Sequence, residues 1–93
     1  MDETALLGHL EALAHALGID VRYESLEGDT AFSSGGLCRI KDKQFIIVNH
    51  RAPIGEKIQT LARALKRFDL GQVYIRPALR DLLEGVTEEA DIS

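Results

Sequence analysis

The feature that most constrains folding is a short apolar run, Phe45–Val48, near the middle of the chain. Successive side chains of an extended strand point to opposite faces, so four apolar residues in a row give the strand two apolar faces. Both faces must then be covered. We therefore expect this segment to be a central strand, covered on both sides or covered by a partner.

The apolar run is predicted to be the second strand of a hairpin. A two-residue turn at Asp42-Lys43 separates it from the preceding apolar segment, which gives a hairpin over residues 37–49. Lysine is a less comfortable second turn residue than glycine. The turn predicts that Ile40 pairs with Phe45 and that Cys38 pairs with Ile47.

Three segments have the pattern of helices. Leucines at positions 6, 10, 13 and 17 form one stripe and predict a helix over residues 4–17, which Gly18 ends. Residues 54–68, preceded by Pro53, have one apolar and one charged face. Pro77 suits the first turn of a short third helix through Leu83, because its missing N–H is not needed there.

Two further segments are predicted to be strands. Residues 19–24 alternate apolar and charged side chains, and residues 73–75 have the composition of a short edge strand. The predicted fold class is α+β: a small antiparallel sheet flanked by two main helices and a short C-terminal helix. Residues 1–84 are expected to form one domain, with a polar loop at 25–34 and an acidic, frayed tail at 85–93.

Composition is that of an ordinary globular chain, with 93 residues, 45% hydrophobic and 28% charged. No apolar run approaches the roughly 20 residues that span a bilayer. The single cysteine cannot form an intramolecular disulfide, and the first residues are acidic where targeting segments are basic. These features predict a cytoplasmic protein.

Charge is segregated along the chain. Residues 1–30 contain seven acids and one base, residues 39–80 contain ten bases and three acids, and residues 81–93 contain five acids and no base. The acidic flanks could neutralise the basic centre across a solvated surface, which is the more ordinary outcome, or the basic centre could face an acidic partner.

A family pattern runs through residues 10–68. Its segments are a helix ending in Leu17-Gly18-Ile19, an extended segment through Val21, a loop into Gly35-Gly36, the strand residues 46–49, Pro53, and a helix reading Thr60-Leu61-Ala62. This order resembles the ImmA/IrrE-type zinc metallopeptidase domains, a zincin family. In that family the last tripeptide leads into a His-Glu-x-x-His zinc motif.

The motif itself is missing. The first metal-binding histidine corresponds to Arg63, the general-base glutamate to Ala64 and the second histidine to Arg67. Zinc hydrolysis needs neutral imidazoles as ligands and a carboxylate to take a proton from bound water. The resemblance therefore implies a zincin-like remnant without the chemistry, and its alternative is a small α+β domain that meets the pattern by chance. Neither predicts a peptidase.

A second, enzymatic hypothesis uses Cys38 and His50 in a thiol- or metal-dependent hydrolase. The predicted register puts these side chains on opposite faces of the hairpin, which weakens the pair. The three histidines and Cys38 show no recognised metal-ligand spacing. We expect no catalytic residue, metal or cofactor, and a buried structural Cys38.

The favoured candidate site is the charged side of the second helix, where Arg63, Lys66 and Arg67 are expected to act as carboxylate clamps, with Lys57 at the edge. The more ordinary interpretation of these charges is a solvated helix surface with no binding role. We predict a non-catalytic protein-interaction or regulatory module that binds an acidic protein segment, this chain's own tail included, or self-associates as a homodimer. Nucleic-acid binding through the basic helix 56–67 is a further alternative, disfavoured by the net charge of -4 and 5% aromatic content. Arg39, Arg51 and Arg76 are secondary candidates.

Overall fold

The computed structural model describes residues 2–25 and 35–86. Its elements are α1 (Glu3–Ala16), β1 (Asp20–Glu24), β2 (Gly35–Ile40), β3 (Lys43–Asn49), α2 (Ile54–Leu65) and α3 (Pro77–Gly85). The predicted α+β class is confirmed, with three helices and a three-stranded sheet in the described residues.

The sheet has the order β1-β3-β2, so β3 is the central strand, as its two apolar faces predicted. β2 and β3 are antiparallel, but β1 runs parallel to β3, and the expected fully antiparallel sheet is therefore wrong. Glu24 and Gly35 lie at the same end of the sheet, beside Asn49 and Val48. The connection between them joins strands separated by two strand spacings, about 10 Å.

The hairpin turn lies at Lys41-Asp42, one residue earlier than predicted. Ile40 pairs with Lys43 and Cys38 pairs with Phe45, so both predicted pairs are wrong. The slip moves each partner by two residues, and Cys38 therefore stays on the predicted face of the sheet. Lys41 takes a φ of 57°, in the left-handed region that two-residue hairpin turns require.

The first helix begins and ends at specific caps. Asp2 accepts a hydrogen bond through Oδ1 from the Ala5 N–H at 2.8 Å. At the other end, Gly18 has a φ of 77° and donates its N–H to the His15 carbonyl, and Ile19 donates to the Ala14 carbonyl. These two bonds form a Schellman motif, which explains why the helix stops where glycine was predicted to stop it.

The core lies between one face of the sheet and the three helices. Leucines of α1 and α2 pack there against the β3 side chains Ile46 and Val48, and α3 adds its own apolar face. The opposite face of the sheet carries Phe45, and the Arg22 guanidinium carbon lies 4.6 Å from the centre of its ring. The second face of β3 is thus covered in part by a cation–π contact.

Residues 73–75 do not form the predicted short strand. Tyr74 is 83% exposed and Ile75 is buried, so the segment alternates as a strand does, but Ile75 belongs to the core beneath the helices. The last helix continues to Gly85 and Val86 is also buried, so ordered packing runs past residue 84. Most of the predicted loop, 26–34, and the predicted tail from residue 87 lie outside the described residues.

No helix within residues 2–25 and 35–86 is long and apolar enough to cross a membrane.

Candidate functional site: the basic face of α2

The second helix is anchored to the core along one side. Its buried residues are Ile58, Leu61, Ala62, Ala64 and Leu65. Helical hydrogen bonding continues past its last residue, since the Lys66 N–H donates to the Ala62 carbonyl and the Arg67 N–H to the Ala64 carbonyl. The Arg67 bond spans three residues rather than four, so Lys66 and Arg67 lie in a tighter turn of the 3₁₀ type that follows α2.

Arg63 and Arg67 are both exposed, one helical turn apart. Together with Lys66, which is half-buried, they are called the basic face here. Cations at the C-terminal end of a helix interact favourably with its free carbonyl groups, which gives the basic face a structural role. Side chains at this spacing are neighbours, at about 5–6 Å between Cβ atoms.

Lys66 makes a contact that sequence spacing did not indicate. Its Nζ donates a hydrogen bond of 2.6 Å to the carbonyl oxygen of Val86, twenty residues along the chain. This bond fastens the end of α3 against α2. An ammonium group has three donors, so Lys66 keeps two N–H groups for other acceptors.

Lys57 does not lie with the basic face. Its Nζ is 5.8 Å from the ring centre of Tyr23, a residue of β1, and the Tyr23 hydroxyl donates to a carboxylate oxygen of Glu11. Partial burial raises the pKa of Tyr23 well above its ordinary value, and the hydrogen bond with Glu11 and the carboxylate charge raise it further. This three-residue cluster could not be predicted from the sequence, because its members come from three elements and show no common spacing.

The three positions that correspond to the zinc motif, 63, 64 and 67, do not lie on a common surface of the structure. Arg63 and Arg67 are exposed, whereas Ala64 is 0% exposed and belongs to the core cluster. A glutamate at position 64 would enter the core rather than meet a metal ion held at positions 63 and 67. The described residues contain no group of three or more His, Cys, Asp or Glu side chains arranged to hold a metal ion.

Cys38 and His50 are far apart along the hairpin. Cys38 is beside Phe45, and His50 lies five residues beyond Phe45 along the chain, which is about 16 Å of extended strand. The His50 N–H donates to the Glu24 carbonyl, which holds this residue at the end of β1. Hydrogen bonding between the Cys38 thiol and the His50 imidazole, as a catalytic pair requires, has no geometric support.

The secondary candidates also do not converge. Arg39 pairs with Gln44 beside the hairpin turn, whereas Arg51 follows the opposite end of β3. Arg76 occupies the N-cap position of α3 without a side-chain capping bond, and it lines a groove of about 340 Å³ between α1 and the segment before α3. Arg39, Arg51 and Arg76 therefore lie on other parts of the described structure than the basic face, whose three residues are near neighbours in sequence at the end of α2.

Comparison of the chain with protein-family models, with curated proteins and with solved structures produced no match.

Proposed function

We propose that this chain is a small non-catalytic interaction module that binds an acidic segment of a partner protein through the basic face. The observation that carries the proposal is the placement of Arg63 and Arg67, exposed and one turn apart, on a helix whose other side is locked into the core. The resemblance to zincin domains, where it reflects ancestry, implies that the module keeps the scaffold of that family without its metal chemistry.

The chemistry of these side chains favours carboxylates. Each guanidinium presents a planar fork of donors that matches a carboxylate in a two-point hydrogen bond. Because packing of the helix fixes the backbone, the points at which the two side chains leave it are already spaced before the partner arrives, and binding has to order only the side chains. The spare N–H groups of Lys66 can add a third contact.

Nucleic acid is the weaker alternative ligand. Phosphate recognition of a strand needs an extended positive surface, and base stacking needs exposed aromatic rings. Glu56 lies exposed on the same helix as Arg63, and the whole chain carries a net charge of -4. A short acidic peptide fits a small cluster of cations better than a polyanion does.

The test is capture of partner proteins by the tagged chain, compared with an Arg63→Glu/Arg67→Glu variant. Lys41→Glu/Lys43→Glu is the matched control, because it reverses two exposed charges on the hairpin. We expect a protein that the wild type and the control retain and the arginine variant loses, with circular dichroism unchanged in all three. Equal capture by the arginine variant would refute the assignment of the site.

A further inference from the structure

The chain leaves α3 at the basic face. Val86, the residue after α3, is 7% exposed and belongs to the core cluster, so the start of the following segment is fixed in position. Its carbonyl oxygen accepts the hydrogen bond from Lys66 Nζ at 2.6 Å. The residue that precedes position 87 is therefore in direct contact with Lys66, a member of the basic face.

The sequence beyond that point is complementary in charge. Residues 87–93 include Glu88, Glu89 and Asp91 and contain no basic residue. An extended chain covers about 3.3–3.6 Å per residue, so the five residues to Asp91 reach up to about 17 Å. Arg63 and Arg67 lie within one turn of Lys66, where helix neighbours are separated by about 5–6 Å. The segment is therefore long enough to bring its carboxylates to the basic face.

We infer that residues 87–93 dock in cis on the basic face and compete with the partner's acidic segment for it. The inference rests on the proposed function, since competition requires that the same site binds a partner. A covalently attached ligand acts at an effective concentration in the millimolar range, which offsets the weakness of surface ion pairs. Docking is therefore partial, is screened by salt, and raises the partner concentration needed for binding.

The experiment uses the full chain and a tail variant, Glu88→Gln/Glu89→Gln/Asp91→Asn. The control variant, Asp20→Asn/Glu24→Gln/Asp42→Asn, removes three exposed acids elsewhere. One readout is the NMR signal of the side-chain Nε–H groups of Arg63 and Arg67. The second is fluorescence anisotropy of a labelled peptide of eight glutamates at low ionic strength.

If the tail docks in cis, the chemical shifts of both arginine Nε–H groups should differ between the wild type and the tail variant. The same chemical shifts should be equal in the wild type and the control variant. Competition predicts that the glutamate peptide binds the tail variant about fivefold more tightly than the wild type. Arginine chemical shifts that are the same in the tail variant and the wild type would overturn docking. Chemical shifts that differ, together with equal affinity of the two proteins for the glutamate peptide, would overturn competition. Moved signals with no peptide binding to either protein would support cis docking and count against the proposed partner site instead.

Discussion

The burial of Ala64 gives a sharp prediction for the Ala64→Glu variant. Ala64 is 0% exposed and belongs to the core, although it follows the exposed Arg63 directly and precedes the exposed Arg67 by three residues. Extra side-chain atoms in a packed core cost about 1–3 kcal/mol by overpacking. This part of the cost is independent of pH.

The introduced carboxylate adds an electrostatic cost. Burial raises the pKa of such a group by up to about 3–5 units, and each unit corresponds to about 1.4 kcal/mol at a pH above both the folded and the unfolded value. A shift of about 3 units gives a total loss of about 5–7 kcal/mol, including overpacking. The stability of a 93-residue chain is about 5–14 kcal/mol, so the variant loses roughly half of it or more.

The dependence on pH distinguishes a buried charge from simple overpacking. Because the pKa of the introduced carboxyl is higher in the folded than in the unfolded state, the penalty is largest above both values. It declines as pH falls toward the unfolded value of about 4.3. Urea unfolding followed by circular dichroism at about pH 8.5 and about pH 5 measures the difference.

Arg63→Glu is the matched control, since it introduces the same carboxylate one residue away on the exposed side. We expect its free energy of unfolding to change by less than about 1 kcal/mol. An Ala64→Glu variant as stable as this control would refute the placement of position 64 in the core. It would favour instead an arrangement in which positions 63, 64 and 67 face a common open site.

Two further predictions concern other contacts. Gly18→Ala should lower the unfolding free energy by about 1–2 kcal/mol, because an L side chain is strained at a φ of 77°. Gly8→Ala should raise it by about 0.5–1 kcal/mol, since the added Cβ meets nothing within 4 Å in the exposed interior of α1; melting temperatures that shift in the same direction would contradict this pair. The raised pKa of Tyr23 stabilises the fold below the ordinary tyrosine pKa of about 10, and that contribution is lost as pH rises through the folded value. Tyr23→Phe should therefore show a smaller loss of stability between about pH 8 and about pH 11 in urea titrations, and an identical loss would disprove the Tyr23–Glu11 explanation.

The parts of the fold that sequence predicted are those set by local pattern. The leucine spacing and Gly18 predicted α1 to within a residue at each end, because periodicity and a left-handed cap are properties of adjacent residues. The two-sided apolar run at 45–48 predicted a central strand, because burial on both faces leaves few other places for it.

The errors arose where several alternatives satisfy the same local pattern. Turns at Lys41-Asp42 and Asp42-Lys43 keep the same side chains on each face, so apolar alternation could not choose between the two registers. Alternation of apolar and charged residues over 19–24 is the same in a parallel and an antiparallel strand, so it could not predict the direction of β1 relative to β3. Segment 73–75 has strand-like alternation, but packing of Ile75 beneath the helices produces the same pattern.

The candidate site was predictable only in part. Helical spacing predicted that Arg63 and Arg67 point outward together, and both are exposed. The contact of Lys66 with Val86 and the displacement of Lys57 toward Tyr23 are tertiary contacts between distant segments. Such contacts follow from the packing of whole elements and leave no signature in residue spacing.

The position of β3 has a consequence for synthesis on the ribosome. The two outer strands, β1 and β2, both pair with β3, and β3 is the last of the three in chain order. A nascent chain that ends before Lys43 therefore holds two strands without their shared partner and an α1 without most of its core. Sheet formation must wait for residues 43–49 to emerge, so the growing chain passes from unpaired to fully paired within the synthesis of one strand.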